Sequence, residues 1–120
     1  MQARTANGVD ERAFQFFCGV IRFARTIGPE AGIRRVIDQL VAAAGSIAAN
    51  REEATSASSR KEFTRFNEIA LRSAKESAMW LRACDATDLG TPALRRVLLD
   101  EAHQLTRILA AIVIKTKQNP

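Results

Sequence analysis

The sequence predicts an all-α protein, an antiparallel up-down-up-down four-helix bundle that assembles with copies of itself. Three observations predict it. Apolar residues recur at spacings of three and four through most of the 120 residues, and no stretch alternates as a strand does. The segments separate at short connectors, so consecutive helices must lie side by side. Three of the four segments are about 26 residues long, roughly 39 Å each at 1.5 Å per residue, and the first is nearer 18 residues. At 13.2 kDa the chain is one domain, residues 1–120, with flexible ends expected at 1–9 and 118–120.

Each element has a local cause. Asp10 is placed to cap a first helix over 10–27, which Gly28 and Pro29 interrupt. Pro29 suits the first turn of a second helix, expected over 29–55. The polar connector TSASSR then leads to Ser59 and Glu62, a capping box that opens a third helix over 59–84. The loop DATDLGTP ends it, and Thr91 with Pro92 starts a fourth helix over 92–117.

The third helix carries a heptad seam at Phe63, Phe66, Ala70, Ser73, Ser77, Trp80 and Cys84, large at its ends and small in its middle. The second repeats that profile, with Ile33, Ile37 and Leu40 giving way to Ala44, Ile47 and Arg51. Small residues in facing middles let two backbones approach closely. Asn50 and Glu53 share a face near the end of the second helix and are expected to form a structural polar cluster that fixes the register of helices two and three.

The first helix is apolar round most of its circumference, with four Phe within ten residues. One bundle interior covers only one face, so Phe14, Phe16, Phe17, Val20 and Phe23 are expected to form a homo-oligomer interface. Leu99, Val113 and Ile114 lie outside the Leu98, Leu105, Leu109 and Ile112 stripe of the fourth helix and point the same way.

Charge is concentrated in one place. Of the net +5, segment 59–84 holds +3. Lys61, Arg65, Glu68, Arg72, Lys75, Met79 and Arg82 follow spacings of four and three, so they form one line on the third helix. Such a line suits the phosphates of a nucleic acid, and its plain alternative is a solvated face helped by a Glu68–Arg72 pair. No aromatic residue interleaves with it, which gives no support to stacking on single-stranded bases.

The chemistry of catalysis is missing from the pattern. His103 is the only histidine, and Asp100 beside it lacks the second Asp/Glu-x-x-His motif that a di-metal bundle needs. Ser46 and Ser73 fall among packing residues, and no phosphate-binding glycine loop or metalloprotease motif occurs. We expect no enzyme activity, no cofactor and no metal. Cys18 and Cys84 have no metal-type spacing and are expected to be free thiols of a cytoplasmic protein. The longest apolar run, residues 108–114, is too short to cross a membrane.

The stretches QLVAAAGSIAANREEA, SSRKEFTRF and IALRSAKE resemble a family signature. The family is that of small four-helix-bundle proteins named after open reading frames in intervening sequences of bacterial 23S ribosomal RNA genes. Its pattern runs Q-L-x-x-A-x-x-S-I-P-x-N-x-x-E-G, then a Ser and Lys-Glu-Phe element, then I-A-x-x-S-x-x-E. The chain matches at Gln39, Leu40, Ala43, Ser46, Ile47, Asn50 and Glu53, at Lys61, Glu62 and Phe63, and at Ile69, Ala70, Ser73 and Glu76. It departs where Ala48 stands for the proline and Ala54 for the glycine. The resemblance implies a left-handed bundle, a bacterial cytosolic setting and a ring of five subunits. It also implies kinship with the accessory protein of diversity-generating retroelements, a basic pentamer that binds a reverse transcriptase and nucleic acid. Biochemical function across the family is largely unassigned. The residues therefore point to a non-enzymatic oligomer whose basic surface, through Lys61, Arg65, Arg72, Lys75 and Arg82, engages RNA or a protein that works on RNA. The second reading is a protein–protein interaction scaffold with no nucleic-acid binding.

Overall fold

The structure, a computed structural model, describes residues 8–30 and 32–118. Four helices, α1 (Val9–Ala24), α2 (Ile33–Thr55), α3 (Arg60–Ala86) and α4 (Pro92–Gln118), pack round one core, with no strand among the described residues. The expected flexible ends fall mostly on residues 1–7 and 119–120, outside the described residues. Of the rest of those ends, Val9 opens α1 and Gln118 closes α4.

The helices pack α1 on α2, α2 on α3, α3 on α4 and α4 back on α1, while the backbones of the diagonal pairs stand further apart. Specific contacts set which ends lie together. Asp10 near the start of α1 meets Arg51 near the end of α2, and Arg51 meets Asn67 early in α3. Asp85 at the end of α3 meets Arg95 at the start of α4, and Glu68 meets Lys117. Arg12 and Glu101 join α1 to α4. The result is an elongated body of 47 × 24 × 19 Å.

Several boundaries differ from the sequence expectation for physical reasons. The N-cap of α1 is Gly8, and Asp10 sits in the first turn with its carboxylate accepting from Arg51 instead of capping. α1 stops at Ala24, where Thr26 turns its hydroxyl onto the Phe23 carbonyl. α2 starts at Ile33, not residue 29, because Gly32 adopts a positive φ of 87° that breaks any helix begun at Pro29. Ser59 caps α3 as expected, its Oγ accepting the Glu62 N–H at 3.1 Å. The return half of the box is displaced by one residue, since the Glu62 carboxylate accepts from the Ser58 N–H at 2.9 Å.

The breadth of apolar surface on α1 has an internal explanation. α1 touches both α2 and α4, so Phe16, Val20 and Phe23 are 2%, 0% and 0% exposed within a single chain. These three of the five expected interface residues belong to the subunit's own core. The Phe17 ring is half-buried over Gly45, where an added Cβ would come within 3.1 Å of it. Phe14 alone of the five faces outward, at 50%. On α4, Val113 is buried, contrary to expectation, while Leu99 and Ile112 are half-buried and Ile114 is exposed. Cys84 is fully buried, which pushes its thiol pKa up against the opposing pull of Arg95, and Cys18 is half-buried; both are free.

The α3–α4 loop is held by shape. Gly90 has φ +71°, and a Cβ there would lie 2.5 Å from the Phe23 ring, itself fully buried. Gly90→Ala is expected to destabilise the protein by about 2–3 kcal/mol through left-handed strain and overpacking. Urea unfolding of the two proteins checks this, with an unchanged midpoint counting against the account.

Candidate nucleic-acid interface

Lys61, Arg65, Arg72, Lys75 and Arg82 are all exposed on the outer face of α3, which runs about 32 Å from Lys61 to Arg82. Helical spacing keeps them in line, and the structure brings them together as one stripe. Every acid on α3 is engaged elsewhere. Glu62 closes the N-terminal cap, Glu76 accepts from the Trp80 indole at 3.0 Å, and Asp85 pairs with Arg95 at 2.6 Å. Glu68 sits within the line but pairs with Lys117 of α4 at 2.6 Å, not with Arg72 as the local spacing suggests. The five cations therefore make no side-chain hydrogen bond or ion pair among the described residues.

The stripe borders two hollows against α4. One of about 570 Å³ is lined by Arg65, Glu68, Arg72, Val113 and Lys117 among others. A smaller one of about 240 Å³ is lined by Lys75, Ala78, Met79, Arg82, His103 and Thr106. Sequence reasoning did not connect His103 to the stripe, because only the pairing of α3 with α4 brings it there. A further hollow, about 650 Å³ between α1 and α4, has mixed charge from Glu11, Arg12, Arg22 and Glu101.

The expected Asn50–Glu53 cluster does not form. Asn50 turns back along its own helix, donating to the Ser46 carbonyl at 2.8 Å and to Ser46 Oγ at 3.1 Å, and Glu53 is exposed with no side-chain partner among the described residues. The polar link between α2 and α3 lies one residue away, at Arg51. Its Nη1 donates to Asn67 Oδ1 at 2.6 Å and its Nε to Asp10 at 2.7 Å, while Asn67 donates to the Phe63 carbonyl at 2.9 Å. A second link joins the helix middles, where Ser73 donates to Ser46 Oγ at 2.8 Å. Asp100 accepts from Gln104, and no group of three or more His, Cys, Asp or Glu side chains gathers to hold a metal among the described residues. No described helix is long and apolar enough to cross a membrane.

The profile of the family described as 23S rRNA-intervening sequence protein matches residues 6–111. The chain belongs to that family. A crystal structure at 1.70 Å of a protein of unknown function from the S23 ribosomal protein family of Bacteroides thetaiotaomicron has the same fold. It superimposes with a TM-score of 0.77 at 22% identity, over 88% of this chain and 98% of that one. No curated protein matches the chain.

In this chain Ser46, Asn50 and Ser73 are thus joined at the α2–α3 contact, whereas Glu53 is not. Asn67→Ala is expected to lower stability by about 2–4 kcal/mol, because it opens a cavity and leaves the buried Arg51 short of an acceptor. Glu53→Gln is expected to leave stability within about 0.5 kcal/mol of the parent. Paired denaturant titrations separate the two, and a Glu53 effect as large as that of Asn67 would refute this assignment of the link.

Proposed function

We propose that the chain is a non-enzymatic, homo-oligomeric helical-bundle protein of the bacterial cytoplasm that engages RNA through the exposed face of α3. The observation that carries this reading is the row of five cations, Lys61, Arg65, Arg72, Lys75 and Arg82, left without partners while every acid of α3 is used elsewhere. Phosphates along a nucleic-acid backbone supply the missing negative charge, and release of their counterions drives binding. The bundle is antiparallel and up-down-up-down, a reading supported by the end-to-end pairings Asp10–Arg51, Arg51–Asn67, Asp85–Arg95 and Glu68–Lys117.

Neutralising two of the cations tests the RNA reading. Arg65→Gln with Arg72→Gln is expected to weaken RNA binding about tenfold at low salt and to flatten the slope of log affinity against log salt by about 1.4–1.8. Anisotropy titrations of a labelled RNA at several salt concentrations read both quantities. Unchanged affinity and slope, or no saturable binding by the parent, would favour the protein scaffold.

Self-association is supported by large apolar side chains that the subunit leaves outside, Phe14 at 50%, Val97 at 67% and Ile114 at 57%. Phe14 projects from α1, and Val97 and Ile114 from α4, so a contact between unlike faces is available, the kind that closes into a ring. The count of five follows the family resemblance. Light scattering is expected to give five times the 13.2 kDa of one chain, and Phe14→Lys a smaller particle. A monodisperse 13.2 kDa parent at micromolar concentration would remove the oligomer from the proposal.

A further inference from the structure

The smaller hollow beside the cationic stripe has a chemistry of its own. Lys75 and Arg82 are seven residues apart on α3, about 10.5 Å along the axis, and stand at either side of it. Ala78 lies between them, buried, and its single methyl group leaves the space open where a longer side chain would fill it. The far wall comes from α4. Because Asp85 pairs with Arg95 and Glu68 with Lys117, the midpoint of α4 falls opposite residues 75–82, which places His103 there. Thr106 lines the same wall, its hydroxyl donating to the Ala102 carbonyl.

No carboxylate lines this hollow. Lys75, Arg82 and His103 line it from two helices, with Met79 beside them, and neither Lys75 nor Arg82 has an internal partner among the described residues. Arg supplies a planar fork of donors, Lys a movable point charge and His a further ring N–H, the donor set that a tetrahedral oxyanion accepts. The mixed lining of the α1–α4 hollow and the Glu68 carboxylate of the other stripe hollow make both of those less suited to an anion.

We infer that Lys75, Arg82 and His103 form a seat for one phosphate group of the bound RNA, an assignment that rests on the RNA reading of α3 for its biological source. The seat holds a phosphate oxyanion, either at a chain end or within the backbone. Lys75 and Arg82 bind its oxygens, and His103 orders it from the α4 side.

His103 is the only histidine of the chain, so its ring C–H signals in a proton NMR spectrum are unambiguous. The intact protein is titrated with inorganic phosphate at fixed pH and ionic strength, chloride being exchanged for phosphate. A saturable shift of the His103 signals is expected, half-complete at or below about 1 mM. Lys75→Gln with Arg82→Gln should weaken it at least tenfold, whereas Arg65→Gln with Arg72→Gln should leave it within twofold. All four positions are exposed, and helical circular dichroism verifies that each variant is folded. A linear, unsaturable drift, or an equal shift in both double variants, overturns the seat.

RNA oligonucleotides of one sequence, with and without a 5′-phosphate, then identify the source. Tighter binding of the phosphorylated form, lost in the Lys75/Arg82 variant, assigns the seat to a chain end. Equal binding of both forms, weakened alike in that variant, assigns it to an internal phosphate. RNA binding that depends on Arg65 and Arg72 while His103 stays silent to phosphate removes the seat and leaves the stripe. Phosphate binding at His103 without any RNA binding keeps the seat and removes the RNA reading.

Discussion

The close approach of α2 and α3 is the constraint from which the other features of this molecule follow. Ala43 and Ala44 of α2 and Ala70, Ser73, Ala74 and Ser77 of α3 are small and buried where the two helices pack. Side chains this small allow the Ser73 hydroxyl to reach Ser46 Oγ at 2.8 Å across the crossing. Gain from such a contact is dispersion over many short distances more than bulk apolar burial. Ala70 and Ala74 are fully buried, so a methyl added at either would overpack the core. Bulk in the core comes from all four helices: Phe16, Val20 and Phe23 of α1, Leu40 and Ile47 of α2, Leu81 of α3, and Leu98, Leu105 and Leu109 of α4.

Small-residue contacts define a distance but leave sliding along the axis weakly opposed. The two buried arginines supply that opposition at the two ends of α3. Near its start, Arg51 is tied to Asn67 and Asp10, which links three helices through one side chain. At its end, Arg95 is 1% exposed and donates to Asp85 and to the carbonyls of Leu89 and Gly90. Arg51 has two acceptors and Arg95 three, in fixed directions, so a shift of α3 by even one residue would strand a buried charge. Asp88 stands 3.8 Å from Arg95 and is almost wholly exposed, so it adds little to this lock. These two ties fix the register of α3 against its neighbours at both ends.

The parts of this arrangement that repeat along one helix were legible in the sequence, and the parts that depend on a partner helix were not. The heptad of α3, the Ser59 cap, the Pro92 start and the alignment of the cations are local properties fixed by 3.6-residue periodicity and terminal chemistry. Asp10 reads locally as a cap and Glu68 as an i, i+4 partner of Arg72, yet both are captured across helices, by Arg51 and Lys117. The wide apolar girdle of α1 reads as more than one subunit can cover, because the pattern does not reveal that α1 is flanked on two sides. Arg51 in the seam position of α2 carried the signal for the buried link, since a charged residue on an apolar stripe requires a partner. Asn50 and Glu53, three apart and both polar, drew the expectation to the wrong pair. His103 had no local signal at all.

The distribution of charge on α3 runs against what stability alone would favour. Lys61 and Arg65, four apart, and Arg72 and Lys75, three apart, are like-charged neighbours on a helix surface, each pair costing about 0.2–0.5 kcal/mol. Acids at some of these positions would turn that cost into a gain of similar size. The acids exist on the same helix but are turned to the N-cap, to Trp80, to Arg95 and to Lys117. Arg12, Arg51 and Arg95, by contrast, are all matched to carboxylates. Arg22, Arg25, Arg34, Arg35, Arg96 and Arg107 are likewise exposed without a side-chain partner among the described residues, so what sets the α3 cations apart is their alignment on one face. An anionic partner lying along α3, as proposed, would convert the same repulsion into binding free energy.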